Sequence, residues 1–162
     1  MSEDLAKTVT ALEKRVRELE DRLEIFQLLS TYGPAVDSGE SAAAADLWAK
    51  DGTYDVGGMH QAKGHSAIAA LYESEGHQNL IHTGSAHATG LPNVKLDGDK
   101  ATAVGYSQVL LRDGDGFKVW RNAANRWDLV RTEQGWRIKL RFNRVLDGSK
   151  ASHDVLRTAV GD

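Results

Sequence analysis

Tyr32 and Asp37 stand five positions apart at the end of an amphipathic stretch, and His87 opens the first strand of a β-rich second half. A phenol, a carboxylate and an imidazole that meet in one pocket can hold and move a proton, because imidazole titrates closest to neutrality. Each residue also has a structural reading. Asp37 followed three residues later by Glu40 matches a capping box before a second helix. Tyr32 lies on an apolar stripe, where a buried phenol satisfies its hydroxyl locally. Further along, Ile138, Leu140, Phe142, Arg144 and Leu146 share one strand parity, while Arg137, Lys139, Arg141 and Asn143 share the other. Arg144 is therefore expected to point inward, and a guanidinium there needs a carboxylate or an anionic ligand.

His60, His65, His77, His82, His87 and His153 show no helical metal-ligand spacing, so no metal centre is expected. His82 and His87 differ by an odd number and would face opposite sides of one continuous strand. Trp48, Trp120, Trp127 and Trp136 are candidates for an aromatic pocket wall as well as for the core.

The elements that must position these groups follow from hydrophobic period. Leu5, Val9, Leu12, Val16, Leu19, Leu23 and Phe26 alternate steps of four and three, a heptad stripe that reads as a helical oligomerisation arm over residues 3 to 24. The stripe then widens to Ile25, Leu28, Leu29, Tyr32 and Val36, as in a helix packed on a sheet. Gly33-Pro34 is expected to kink or end it. A second helix is read over 41–50, a short strand over 53–56, and a third helix over 66–75. Extended segments over 87–96, 101–112, 117–131 and 136–146, separated by Asp- and Gly-rich turns, predict an antiparallel meander. The tail is read with a short helix over 155–159. The expected class is α+β: a cone-shaped barrel of curved antiparallel sheet wrapped on N-terminal helices, with a helical N-terminal extension.

A chain of 162 residues fits one domain with a sizeable core. With 20 basic and 23 acidic residues interspersed and a net charge of −3, it lacks the basic footprint of a nucleic-acid binder. It has no cysteine, which excludes disulfides and thiolate chemistry. The sequence contains no signal segment and no run of about 18 apolar residues, so a cytoplasmic protein without membrane partners is expected.

Four groups of motifs carry a resemblance. They are 23–56, containing Tyr32-Gly-Pro-Ala-Val-Asp37 and Ala45-Asp-Leu-Trp-Ala-Lys-Asp-Gly-Thr-Tyr; Gly64-His-Ser-Ala-Ile68; Val94-Lys-Leu-Asp-Gly-Asp-Lys-Ala-Thr-Ala103; and Trp127-Asp-Leu-Val-Arg-Thr-Glu-Gln-Gly-Trp-Arg-Ile138. Over about residues 20 to 148 the chain resembles the SnoaL-like group of the nuclear transport factor 2 and ketosteroid isomerase superfamily. The heptad stripe and the span of the resemblance together divide the chain into a helical oligomerisation extension (1–22), a SnoaL-like domain (23–148) and a C-terminal tail (149–162). Scytalone dehydratase, bile-acid dehydratase and lindane dehydrochlorinase use an Asp-His pair whose positions match Asp37 and His87. Their tyrosine matches Tyr32, and a basic residue near the end of the last strand matches Arg144. The ketosteroid isomerase branch places its base near Asp55. The second acid of the bile-acid dehydratase pattern is missing, since Gln108, Val109 and Leu110 stand there, and Pro34 is unusual for the group. Trp48, Trp120, Tyr106 and Gln108 are the implied substrate-binding residues.

The implied activity is a cofactor-independent elimination or isomerisation of a small hydrophobic, cyclic molecule by a homodimer or homotrimer. The alternative is a non-catalytic ligand-binding or oligomerisation module of the same fold. A pocket in which Asp37 meets His87 favours the first; Asp37 capping a helix in a filled core favours the second.

Overall fold

The computed structural model describes residues 3–161. The elements run α1 (Glu3–Asp37), α2 (Ser41–Ala45), β1 (Trp48–Val56), β2 (His60–Lys63), α3 (His65–Glu73), α4 (Glu75–Thr83), β3 (Ser85–Thr89), β4 (Asn93–Asp97), β5 (Lys100–Asp113), β6 (Gly116–Thr132), β7 (Gly135–Val145) and α5 (Lys150–Val160). The class is α+β, as expected, and the curved sheet does not close. Its strand order is β2-β1-β7-β6-β5-β3, with β4 also pairing β5. All pairings are antiparallel except β1 with β7, which is parallel.

The broad stripe of α1 forms the core. Ile25, Leu29, Tyr32 and Val36 pack with Trp48, Ile68, Leu129, Trp136 and Ile138. Polar bonds fix the helix where this packing begins. Asp21 accepts from Arg131 Nη2 at 2.7 Å and from Trp136 Nε1 at 3.1 Å, and Glu24 accepts from the Trp136 N–H at 2.7 Å. N-terminal to Asp21, every described residue of α1 is exposed.

Of the kink or end expected at Gly33-Pro34, the end does not occur: α1 continues to Asp37. Proline deletes only the donor that would reach the Ser30 carbonyl. The next turn still forms, with the Ser38 N–H bonded to the Pro34 carbonyl at 3.0 Å. Gly33 has a different role. A Cβ at this position would lie 2.2 Å from the His87 carbonyl oxygen, so glycine permits α1 to run against the backbone of β3.

Several local readings yield to long-range pairing. The second helix stops at Ala45, because Trp48 begins a strand registered on Ile138 of β7. The expected strand over 87–96 divides at Gly90-Leu91-Pro92 into β3 and β4, which take separate stretches of β5. Strand β2 and helix α4 were not anticipated. Helix α4 contains His82, whose Nδ1 lies 2.7 Å from the Gln78 carbonyl on the exposed side, so the strand-parity argument does not apply to it. Helix α5 is longer than the expected 155–159 and buries Ser152.

The consequential departure is in β7. Leu129 pairs with Ile138 and Asp128 with Leu140, so Lys139 is an extra residue in a β-bulge. Before the bulge the buried side chains are Trp136 and Ile138; after it they are Arg141 and Asn143. Parity has slipped by one residue. The expectation that Arg144 points into the pocket is therefore corrected: the inward guanidinium is Arg141.

Candidate active site

A cavity of about 200 Å³ lies between the helices and the sheet, with walls from α1, α3, α4 and five strands. Tyr32, Tyr54, Tyr72, His77, His87 and Arg141 supply most of its polar chemistry, while Leu71, Leu80, Val56 and Val109 supply apolar surface. This volume lies below the usual range for ligand pockets, which limits an occupant to about one compact ring system.

The close approach at Gly33 brings the end of α1 to β3, and there Asp37 binds His87 twice. Asp37 Oδ1 is 2.6 Å from His87 Nδ1, and Oδ2 accepts the His87 backbone N–H at 2.6 Å. Ser85 Oγ donates to Oδ1 at 3.3 Å. Burial pushes the Asp37 carboxyl up, yet the hydrogen bonds from the His87 ring and backbone outweigh it and hold the group below its ordinary value. Asp37 is thus a carboxylate that accepts a hydrogen bond from the Nδ1–H of His87, which leaves the Nε2 lone pair free to accept a proton. Asp37 caps nothing: the N-cap of α2 is Glu40, with no side-chain bond.

The rings of Tyr32 and His87 meet edge to face with centroids 6.3 Å apart. His77, from α4, lies tilted against His87 at 5.4 Å. Burial and the neighbouring His87 lower the His77 pKa, against smaller opposing effects from the Val36 backbone and Asp37. His77 is therefore neutral at pH 7.

Arg141 crosses the floor, only 2% exposed. Its guanidinium carbon lies 4.2 Å from the Tyr32 ring centroid, 4.7 Å from that of Tyr54 and 5.5 Å from that of Trp127. Nε donates to Asn125 Oδ1 at 3.0 Å, which also accepts from Asn143 Nδ2 at 2.9 Å. Burial works against its charge, but the surrounding tyrosines more than offset this and keep the group cationic. No carboxylate is bonded to it among the described residues. Nη1 is buried and makes no well-formed hydrogen bond, and the same holds for Tyr72 Oη, His77 Nε2 and Arg121 Nε on the same cavity wall. Buried polar atoms left open in this way mark where a ligand or water completes the structure.

The remaining anticipated residues are placed as follows. Asp55 and Arg144 bind each other, Nη1 to Oδ1 at 2.7 Å and Nη2 to Oδ2 at 3.0 Å. The Arg144 bond holds the Asp55 carboxyl below its usual range. Tyr54 and Val56 line the cavity, so Asp55 between them faces away, and neither Asp55 nor Arg144 reaches the cavity. Trp48 is core, edge to face with Tyr32 at 6.2 Å, and is not on the cavity wall. Tyr106 is exposed away from it. Gln108 and Trp120 do line it, Trp120 being 53% exposed at the rim. Sequence reasoning missed Arg141, His77, Tyr54, Tyr72 and Asn143; no residue pattern announces the bulge that turns Arg141 and Asn143 inward. Among the described residues, no group of three or more His, Cys, Asp or Glu side chains is arranged to hold a metal ion, and no helix is long and apolar enough to cross a membrane.

The SnoaL-like domain profile matches residues 17–141. The chain is similar to a crystallised NTF2-like protein with a cystatin-like fold from Novosphingobium aromaticivorans, 45% identical over 91% of this chain and 96% of that one, with a TM-score of 0.88. It also resembles ActVI-ORFA of Streptomyces coelicolor, at 19% identity over 78% and 98% of the two chains and a TM-score of 0.68. Aln2 of a Streptomyces species is 17% identical over 84% and 94%, with a TM-score of 0.69. At these last two identities the likeness extends to the fold alone. Among curated proteins, none matches the chain.

Proposed function

We propose that this chain, which belongs to the SnoaL-like domain family, is a proton-transfer enzyme acting on a small cyclic molecule with a C–H bond next to a carbonyl. The observation that carries this reading is the joint presence, on the wall of one cavity, of an Asp37-bound His87 and a buried Arg141 whose Nη1 lacks a well-formed hydrogen bond.

His87 Nε2 removes the proton and becomes an imidazolium, whose charge Asp37 stabilises through Nδ1. The C–H electron pair moves to the carbonyl oxygen as an enolate, and Arg141 Nη1 with the neighbouring tyrosine hydroxyls donates to it. Two outcomes balance. In isomerisation the imidazolium returns its proton to another carbon of the enolate. In elimination the enolate expels a β-hydroxyl, and the same proton leaves with it as water. Neutral His77 beside His87 avoids setting a second positive charge against the imidazolium. Both carboxylate oxygens of Asp37 are spent on His87, which supports catalysis over a purely binding role, in which Asp37 would serve α2.

The test is a panel of small cyclic β-hydroxyketones and enones followed by proton NMR in deuterated water, reading both product and exchange at the acidic carbon. General-base catalysis contributes about 10²- to 10⁴-fold, so His87→Ala should slow turnover at least about 100-fold. An undiminished rate in a folded His87→Ala protein overturns the assignment.

A further inference from the structure

We infer that the N-terminal half of α1 pairs with the same segment of a second copy of this chain as a parallel two-stranded coiled coil. Val9, Leu12, Val16, Leu19 and Leu23 form one stripe along the helix; Leu12 and Val16 are each 51% exposed, Leu19 65% and Leu23 61%. The body does not need this stripe. Asp21 and Ile25, on the opposite side of the helix, make the contacts to Arg131, Trp136 and the core. Residues 3–20 are exposed on every side, and a helix of this length in water depends on an apolar face finding a partner.

The residues also specify the partner and its direction. In heptad terms Val9, Val16 and Leu23 occupy a, while Leu12 and Leu19 occupy d. Valine at a with leucine at d favours two parallel strands over three or four. Flanking the seam, Arg15 falls at g and Glu13 and Glu20 at e. In a parallel pair, Arg15 of each copy meets Glu20 of the other, giving attraction twice. An antiparallel pair would set Glu13 and Glu20 against each other and Arg15 against Arg15 or Arg22, giving repulsion throughout. Geometry agrees, because the body attaches through Asp21 on the side away from the seam. A two-fold axis along the seam therefore puts the two bodies on opposite sides, where they do not collide.

Three measurements on the full chain test this independently of the proposed catalysis. Light scattering should give twice the mass of one chain, falling to one chain mass in Leu12→Asp/Leu19→Asp. The chain has no cysteine, so Val9→Cys alone and Leu23→Cys alone should each form disulfide-linked dimers on oxidation. Arg15→Glu should weaken dimerisation several-fold, and Arg15→Glu/Glu20→Arg should restore it. A monomeric or trimeric wild-type mass overturns the proposal. So does cross-linking that needs Val9→Cys and Leu23→Cys mixed together, the antiparallel signature, or a dimer indifferent to the charge reversals.

Discussion

At the scale of single residues, Arg141 holds the most specific chemistry in the molecule. A buried cation without a bonded carboxylate is costly unless its field is used, and here three aromatic faces and one amide oxygen hold it, with Nη1 buried and lacking a well-formed hydrogen bond among the described residues. Arg141→Met keeps much of the stem volume and removes the donors. On a substrate found by screening, kcat should fall about 10²- to 10³-fold, the usual cost of losing one oxyanion donor. A substrate-independent check uses 4-nitrophenol, whose absorbance reports its ionisation. The wild type should draw bound ligand toward the phenolate, and Arg141→Met should not. Equal spectra in the two proteins would remove Arg141 from the anion site. Lysine is not an equivalent replacement, since an ammonium can neither stack on Tyr32 nor reach Asn125 while presenting a second donor.

At the scale of elements, the site depends on how closely α1 lies on β3. Gly33 sets that distance, and the two bonds from Asp37 to His87 exist because of it. Gly33→Ala improves helix propensity by about 1 kcal/mol, yet the added carbon meets a backbone oxygen that cannot rotate away. Overpacking of this kind costs about 1–3 kcal/mol. The variant should unfold at lower denaturant concentration and lose activity through a displaced Asp37, both measurable on one preparation. A stabilised Gly33→Ala with full activity would mean that α1 slides freely on β3. The helical character of α1, its core stripe and the hairpins of β5, β6 and β7 were legible from period and turn residues, whereas the passage of α1 through Pro34 to Asp37 was not. The parity of β7 was not: Arg141 and Arg144 differ by three positions on one strand, and only the extra residue at Lys139 decides which of them turns inward.

At the scale of the whole molecule, the buried titratable groups tie stability to pH. His77, lowered by burial and by His87, binds its proton less tightly in the folded chain than in the unfolded one, where it titrates near about 6.5. Its contribution is therefore fully present above about pH 6.5 and is lost as pH falls through the lowered folded value. The Asp37 contribution, from a carboxyl held down by His87, persists to about pH 4 before it too is lost. Denaturant midpoints measured from about pH 8 to about pH 3 should show both steps. His77→Gln should flatten the upper step alone, and Asp37→Asn the lower. If His77→Gln leaves the upper step intact, another group produces it. The sequence by itself determined what is local: which stretches favour helix and which strand, where turns fall, and that one helix carries two apolar stripes of different width. Asp37 and His87 were also recognisable as a pair through an ordered set of motifs. Only the tertiary structure decided that Arg141 rather than Arg144 enters the cavity, that Asp55 is held by Arg144 away from it, and that His77 stands beside His87. The physical reason is that strand parity is referred to a partner strand. A bulge changes the reference without altering any residue type, and contacts between α4, β3 and β5 are closed by pairings far apart in the chain.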